Sequence, residues 1–385
     1  MSRMPLIVLS ILLAAFFVLP LTADDAGSVD RERSAFVVEP DLKLWGLELN
    51  LGYRGVRLVP GVDTVFWLIA GAANESMSYY RLPSGDIYRG GVPLADPTVD
   101  PKSRKWYYGW GAGISQGVLW NDETDSNLLE LFLFYRARFD NHLEDTDPET
   151  DQLLFRSSVP DRDALLQNAF LTGFSYDGVV RDKTHKIQRG VYGELSAEWG
   201  PEALQQASAG ETGYLRFNAT VKGFLPLYVA APDRDRNLFS LYAGSFLSAD
   251  YFIGDSVPLN IRQSFGGLSP RTGLGGAVRG VDSGAFDSRF KAVCNLDLRA
   301  TLPAIVHPDI VPGIVTYFDT GYYHEGNEVQ STANQSGFIY TTGAGVYIDL
   351  FEFATLALYA HYLLNGENAD GKNLVLGELA FGLRF

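Results

Sequence analysis

Long stretches of this chain alternate apolar and polar residues with a period of two. In one of them, Trp45, Leu47, Leu49, Leu51 and Tyr53 share one face of an extended segment, with aromatic rings at both ends. A period of two is typical of a β-strand with one apolar face. Several such stretches run for 12 to 15 residues. Strands of globular proteins average about 5–6 residues, and a tilted strand needs roughly 9–11 to cross a bilayer. The pattern therefore predicts membrane-spanning β-strands.

The apolar residues are numerous, but they are not gathered into helix-length runs. Hydrophobic residues make up 46% of the sequence, yet the longest uncharged apolar run beyond the amino terminus, residues 65–73, is nine residues long. A spanning helix needs about 20 residues. Two fates remain for an exported chain of this kind: a soluble periplasmic domain, or a barrel whose strands are apolar on one face. The strand lengths, the 13% aromatic residues and the 40 glycines favour the barrel.

The amino terminus is predicted to be a targeting segment. Arg3 provides a short positive region, residues 6–21 are apolar, and Ala23 marks a plausible cleavage point. A retained membrane anchor is the alternative, but the apolar run is shorter than the roughly 20 residues of a spanning helix. We therefore predict a signal peptide over residues 1–23, a short periplasmic lead-in over 24–41 and a single barrel domain over 42–385.

Fourteen strands are identified directly from the alternation. The long polar connections at residues 74–105 and 141–162 are predicted to be extracellular loops, with room for two more strands. The predicted fold is an all-β, antiparallel transmembrane β-barrel. The fourteen segments are residues 45–53, 63–73, 106–120, 129–139, 166–180, 191–200, 215–221, 238–252, 258–265, 289–302, 313–323, 337–350, 353–364 and 373–385.

The last predicted strand ends on an aromatic residue at the carboxy terminus. By alternation, Phe381, Leu383 and Phe385 share one face with Val375. Such an ending resembles the carboxy-terminal signature of bacterial outer-membrane barrels, which their assembly machinery recognises. We therefore interpret Phe381, Leu383 and Phe385 as an assembly signal.

A glycine-rich stretch lies between two predicted strands. Residues 265–281 contain six glycines, one proline and two arginines. Glycine permits backbone conformations that other residues adopt only with strain. We predict that this loop folds back into the barrel interior and docks there through Arg279. The alternative is a solvated loop arginine.

Four short motifs follow one another in the carboxy-terminal part: Phe265-Gly266-Gly267, Val278-Arg279-Gly280, Leu296-Asp297-Leu298 and Tyr317-Phe318-Asp319-Thr320-Gly321. In this order they resemble the BamA/TamA superfamily, the bacterial surface antigen family, which also includes two-partner secretion transporters. The resemblance is most specific over residues 258–385. It implies a barrel of 16 strands with an inward-folded loop that carries the Arg-Gly motif.

The resemblance also implies partners for the loop arginine. In the family this residue meets acidic residues on the two strands that follow, and the matching positions here are Asp297 and Asp319. Alternation places both on the inner face, where an arginine withdrawn from water needs carboxylate partners. The chain departs from the family pattern at Val281, because an aromatic residue usually follows Arg-Gly. The loop motif as a whole comprises Gly266, Gly267, Val278, Arg279 and Gly280.

The function implied by the resemblance is the insertion or translocation of outer-membrane proteins, through a seam between the first and last strands. The alternative is a passive pore or a structural surface antigen without insertase activity. Family members usually carry periplasmic POTRA modules before the barrel, which the 18 residues at 24–41 are too few to form. The expected partners are outer-membrane lipid, a separate periplasmic protein and client barrel proteins, and the expected location is the bacterial outer membrane.

Other chemistry is disfavoured by composition and context. The chain has 31 basic and 46 acidic residues, a net charge of -15, which argues against a nucleic-acid partner. The single cysteine, Cys294, excludes an intramolecular disulfide and a multi-thiolate metal site. The G-x-S-x-G pattern at residues 113–117 fits a strand better than a nucleophile elbow, and the acidic run 140–151 lacks the glycine of a calcium loop. We expect no enzyme activity, no metal and no cofactor.

Overall fold

The computed structural model describes most of the chain from residue 35 onward. Within it, helix is confined to α1 (Leu259–Arg262) and a 3-10 turn at Glu202–Leu204. No helix in the described part is long and apolar enough to cross a membrane. The described residues are 35–43, 46–78, 87–89, 92–94, 102–142, 160–161, 164–182, 184–208, 210–230, 237–262, 278–281, 288–324, 336–350, 354–365 and 373–383.

The strands form one large antiparallel sheet and one small hairpin. The large sheet has sixteen strands, which confirms the predicted all-β antiparallel class. In chain order the strands are β1 (Phe36–Lys43), β2 (Gly46–Tyr53), β3 (Thr64–Ser78), β4 (Ile87–Arg89), β5 (Val92–Leu94), β6 (Lys102–Asn121), β7 (Ser126–His142), β8 (Ala164–Asp177), β9 (Val180–Asp182), β10 (Ile187–Gly200), β11 (Gln206–Ala207), β12 (Gly213–Val229), β13 (Ser240–Ser256), β14 (Phe290–Thr301), β15 (Ile310–His324), β16 (Ser336–Leu350), β17 (Ala354–Leu363) and β18 (Leu374–Leu383).

Fourteen strands of the large sheet follow one another along a single path, in the order β1-β2-β3-β6-β7-β8-β10-β12-β13-β14-β15-β16-β17-β18. The two remaining strands of this sheet are short: β9 pairs with β10, and β11 pairs with β8. The hairpin of β4 and β5 stands apart from the sheet, inside the connection 74–105. The two additional strands of the large sheet, β9 and β11, therefore lie outside the connections 74–105 and 141–162, where the sequence left room for them.

The two ends of this path meet. β1 and β18 come within 8 Å of one another between Cα atoms, so the sheet curls into a barrel. Along their described residues, however, no ladder of hydrogen bonds joins β1 to β18. The boundary between β1 and β18 is called the seam.

The two faces of the barrel wall have opposite character. In β12, Arg216, Asn218 and Thr220 are buried, while Phe217 and Val221 are 44% and 45% exposed. Other strands repeat this arrangement, with large apolar side chains exposed outside and polar side chains buried inside. A soluble sandwich would bury its apolar face instead. An apolar outer surface around a polar interior is the arrangement of a transmembrane β-barrel.

The strand directions define two ends of the barrel. One end, called the short-turn end, holds short connections between strands, together with the start of β1 and the end of β18. The longer connections, including residues 257–289 between β13 and β14, lie at the opposite end, called the loop end. The described connections of the short-turn end include residues 54–63, 122–125 and 302–309 and parts of 178–186.

Residues 258–262 do not form the strand that the sequence predicted over 258–265, and residues 263–265 lie outside the described residues. The backbone amides of Ile261 and Arg262 each bond to the carbonyl oxygen of Pro258 at 3.0 Å and so close the single turn α1. Ile261 is buried with Tyr214, a residue of the inner wall. Ile261 thus packs into the interior from a helical turn, whose geometry differs from strand alternation.

The first strand lies earlier in the chain than predicted. β1 pairs with β2 over its whole length, from Phe36 opposite Tyr53 to Lys43 opposite Gly46. The lead-in predicted over residues 24–41 therefore ends sooner, and the segment predicted as the first strand is the second. The sequence of β1, FVVEPDLK, has no regular alternation, which is why the pattern did not identify it.

A β-bulge in β18 changes the faces predicted for the last strand. Gly377 has a φ of +82°, and the register between β17 and β18 shifts beside it. Val375 pairs with His361, which is buried inside, whereas Phe381 pairs with Leu356, which is exposed outside. Val375 and Phe381 therefore occupy register positions on opposite faces, because one extra residue shifts the alternation.

The outer face yields a prediction at the centre of β13, where Leu247 is 49% exposed. Leu247→Arg is expected to lower the free energy of unfolding in lipid vesicles by about 2–4 kcal/mol, because a charge near the bilayer midplane loses its hydration. Urea titration followed by gel mobility of the heat-modifiable barrel measures the change. Leu247→Met is the control and should unfold like the parent chain. Equal midpoints for both variants would place Leu247 in water.

Candidate functional site: the docked loop arginine

Arg279 enters the barrel interior from the loop end and bonds to Asp319 of β15. Its Nε donates to Asp319 Oδ2 at 2.8 Å, and its Nη2 donates to Oδ1 at 2.6 Å. The backbone amide of Arg279 also donates to Oδ2, at 3.0 Å. Asp319 is completely buried. A two-pronged guanidinium–carboxylate pair is charge-assisted and directional, so it fixes both the place and the orientation of this part of the loop.

A second carboxylate extends the pair into a chain of alternating charges. Nη2 of Arg279 also donates to Oδ1 of Asp297 on β14 at 2.5 Å. The other oxygen of Asp297 accepts from Nε and Nη2 of Arg299, at 3.1 and 2.8 Å. Two guanidinium groups thus alternate with two carboxylates, and their formal charges cancel. Cancellation matters here because an unpaired charge withdrawn from water is strongly destabilising.

Arg279 remains cationic in this setting. Burial alone would lower the pKa of its guanidinium, but the hydrogen bond with Asp319 and the attraction of Asp297 outweigh burial and raise the pKa above its ordinary value. The cluster is therefore held together by full charges wherever its carboxylates are ionised.

An aromatic ring on β15 covers one side of the guanidinium. The Cζ of Arg279 lies 3.7 Å from the ring centroid of Tyr317, within range of a cation–π interaction. The Tyr317 hydroxyl is hydrogen-bonded to Nδ1 of His361 on β17. Val281 follows Arg279 and Gly280 in the loop, and the ring over the guanidinium comes from the wall. A sequence signal for this role existed, since Tyr317 stands two residues before Asp319 and so shares its face.

The neighbours of the arginine in the Val-Arg-Gly motif shape the turn that carries it. Val278 is completely buried and packs with Val293 of the inner wall. Its carbonyl oxygen accepts from the amide of Val281 at 3.2 Å. Gly280 has a φ of +81°, and a Cβ at this position would lie 2.6 Å from the Cβ of His361. Glycine is therefore required at 280 by both the backbone conformation and the available space.

The loop has a second attachment at its beginning, in α1. Lys291 Nζ donates to the carbonyl oxygen of Ile261 at 2.6 Å. Asn260 Nδ2 donates to Gln167 Oε1, also at 2.6 Å. The connection between β13 and β14 is thus fixed to the inner wall twice, at α1 and again at Arg279.

Lys291, which bonds to α1, also belongs to a separate group of charged side chains on the inner wall. Arg216 of β12 donates to both carboxylate oxygens of Asp250 on β13, at 2.6 to 2.9 Å. Lys291 Nζ lies 4.0 Å from Asp250 Oδ2, so one buried carboxylate faces two cations. Farther round the wall, Arg136 Nη1 lies 3.1 Å from Glu198 Oε2. Ion pairs therefore link strands across the interior at several places.

The remaining predicted site residues are described only in part. Gly266, Gly267 and Phe385 lie outside the described residues. Phe381 and Leu383 belong to β18, beside the seam. Their role as an assembly signal stays a prediction.

The G-x-S-x-G segment lies inside a strand. β6 runs through residues 113–117, and Trp67 Nε1 donates to Ser115 Oγ at 3.1 Å. Since no strand-to-helix turn interrupts β6, Ser115 lacks the geometry of a nucleophile elbow. In the part of the chain that the structure describes, no group of three or more His, Cys, Asp or Glu side chains is placed to hold a metal ion.

The fold and the site together define a class: a transmembrane β-barrel whose interior holds a loop, docked by an arginine between two aspartates. No family model and no curated protein matches the chain. Among solved structures, the chain is similar to the crystal structure of BamA from Haemophilus ducreyi lacking POTRA domains 1-3. The identity is 12%, the TM-score is 0.48, and the match covers 92% of this chain and 71% of that one.

Arg279→Ala removes the central cation of the cluster. It is expected to lower the free energy of unfolding by about 2–4 kcal/mol, because two carboxylates are left without their shared partner. This range is that of a broken buried pair, reduced for the 20% exposure of the Arg279 side chain. Charge reversal at Asp297 or Asp319 should act in the same direction. The temperature at which the heat-modified form appears on a gel measures all three variants.

The matched control for this series is Arg189→Ala. Arg189 forms a solvent-exposed pair with Glu123, and exposed pairs contribute little, so this variant should melt like the parent chain. The docking would be contradicted if the Arg279, Asp297 and Asp319 variants all melted together with the Arg189 control.

Gly280→Ala adds one methyl group where the structure has neither the space nor the backbone conformation for it. The strain is expected to destabilise the docked turn by about 1–3 kcal/mol and to speed cleavage of the loop by added protease. Gly193→Ala is the control, since a Cβ at 193 meets nothing within 4 Å. Identical cleavage rates for the two variants would show that the loop is not held at Gly280.

Proposed function

We propose that the protein acts in the bacterial outer membrane by inserting or translocating other polypeptides through its seam. The observation that carries the proposal is that β1 and β18 lie side by side without a hydrogen-bonded ladder along their described residues. Inside a bilayer, edge N–H and C=O groups without partners cost several kcal/mol each. Two such edges form a template on which an incoming strand gains its main-chain hydrogen bonds.

Both edges of the seam have features that weaken direct closure. β18 carries the bulge at Gly377, which interrupts its register with β17. β1 contains Pro40, and proline, which has no amide hydrogen, occurs in sheets mainly on edge strands. A seam built from such strands favours exchange of partners over a permanent ladder.

The docked loop supplies the rigid side against which the seam opens. Arg279 bonds to Asp297 on β14 and to Asp319 on β15, and Tyr317 bonds to His361 on β17. Strands next to the seam are thereby joined through the interior as well as through their ladders. In this proposal the loop keeps the carboxy-terminal strands together while β18 and β1 part.

The proposed partners are outer-membrane lipid, client barrel proteins and a periplasmic protein that delivers them. Depletion of the protein should therefore lower the abundance of other outer-membrane barrels. Normal abundance of those barrels after depletion would contradict a role in insertion.

A disulfide across the seam tests the proposal directly. In a Cys294→Ser background, cysteine pairs are introduced along β1 and β18, and the chain is reconstituted into lipid vesicles with an unfolded client barrel. Oxidation is expected to stop client insertion, and a reductant should restore it, because the edges are then free to pair. The control crosslink joins Leu195→Cys to Ala219→Cys, which pair between β10 and β12 far from the seam.

The outcomes separate the proposed activity from the alternatives. Client insertion that continues at full rate with the seam crosslinked would remove the seam mechanism. Absence of insertion in every form, together with steady conductance in planar bilayers, would instead identify a passive pore.

A further inference from the structure

The turn between β14 and β15, residues 302–309, exposes two aliphatic side chains at the short-turn end. Ile305 is 47% exposed, and Val306 is 102% exposed, as much as in an isolated peptide. Single exposed apolar residues are ordinary, so exposure alone assigns no role. A role follows from three further features: the hydrogen bonds of the backbone, the conformation of Val306 and the surrounding surface.

The backbone of this turn bonds largely to itself. Pro303 and Pro308 have no amide hydrogen. Irregular backbone enters the hydrocarbon region of a bilayer only where its polar groups have partners, and this turn meets that condition at most of its amides. The amides bonded within the turn or to the adjoining strand residues are those of Leu302, Ile305, His307, Asp309 and Ile310, at 2.5 to 3.2 Å.

Val306 has a left-handed backbone conformation, with a φ of +61°. This conformation is strained for a β-branched residue, and strain of this kind clusters at functional positions. Because the Val306 side chain is fully exposed, packing within the protein does not offset the strain. An apolar environment outside the protein would do so.

The turn also continues the lipid-facing surface of the barrel. Leu298 on β14 and Ile314 on β15 are 43% and 45% exposed on the outer face. Ile305 and Val306 lie in the turn that joins these two strands, just beyond their ends. Continuity with the lipid-facing belt argues for lipid as the occupant.

Other turns at the same end have a different composition. The turn between β6 and β7 carries Asp122, Glu123 and Asp125, and the connection between β8 and β10 carries Arg181 and Lys186. Charged side chains are costly in hydrocarbon, so these turns stay in water or among lipid headgroups. The turn at residues 54–63 also exposes aliphatic side chains, with Val56, Leu58 and Val59 at 46%, 59% and 45%, so aliphatic exposure at this end belongs to two turns and contrasts with the two charged ones.

We propose that residues 302–309 insert Ile305 and Val306 into the acyl-chain edge of the leaflet on the short-turn side. His307 and Asp309, whose Nδ1 and Oδ2 atoms are 3.5 Å apart, remain at the level of the headgroups. The turn thereby anchors the barrel three strands away from β18. This proposal depends on the barrel fold and is independent of any insertion activity.

The test compares one dye at two turns. In a Cys294→Ser background, Val306→Cys and Glu123→Cys are each labelled with a nitrobenzoxadiazole dye. The full chain is reconstituted into vesicles of phosphatidylethanolamine and phosphatidylglycerol. The dye at 306 is expected to emit at shorter wavelength, to be quenched by lipids with a nitroxide on the acyl chain and to escape quenching by aqueous iodide. The dye at 123 should behave in the opposite way.

Two results would overturn the proposal. One is equal iodide quenching at both positions in vesicles. The other is iodide quenching at 306 in vesicles but protection in native outer membranes, which would identify a protein as the occupant. A second labelling site, Ile305→Cys, guards against a local effect of the dye at 306. Adding Val306→Gly, which relieves the backbone strain and removes the side chain, should reduce the blue shift at 305, and an unchanged shift would contradict insertion of Val306.

Discussion

This structure depends on one constraint. Every backbone N–H and C=O group needs a hydrogen-bond partner in a medium without water. A sheet meets it by closing on itself, and fourteen strands here follow one another round a single wall. In the membrane position proposed for the turn at residues 302–309, the same requirement accounts for the hydrogen bonds of its amides. It also gives the seam its significance, since β1 and β18 meet there without a ladder. The function proposed above rests on this boundary.

The apolar outer face forces the polar residues inward, and inside they have little water to bond to. Charged side chains in the interior are therefore paired with one another, as in the bidentate contact between Arg216 and Asp250. The docked loop follows the same rule, because Arg279 lies between Asp297 and Asp319. Such pairs add little net stability over apolar packing, but removing one partner is strongly destabilising. Their effect is therefore to specify where the loop sits.

The sequence predicted what depends on alternation and missed what interrupts it. Parity alone put Asp297 and Asp319 on the inner face, and the structure brings both to Arg279. The bulge at Gly377 adds one residue to the strand and so shifts the alternation. A sequence pattern with a period of two does not reveal such an inserted residue. Alternation predicts a strand where the turn α1 lies, because Ile261 packs inside from a helical turn and not from a strand. Contacts across strands, such as Tyr317 beneath the guanidinium, depend on register, which a single sequence leaves open.

The docked arginine joins strands on the carboxy-terminal side of the barrel, and this bears on the opening proposed at the seam. Arg279 ties β14 to β15, and the bond between Tyr317 and His361 extends the connection to β17. Separating these strands would leave charges without partners in a low-dielectric interior. β18 lies beyond this group, on a ladder interrupted at Gly377, and β1 pairs with β2 along its described residues. In the proposed function, an opening between β1 and β18 or between β18 and β17 would keep the loop docked, since neither route separates the strands that Arg279 and Tyr317 join.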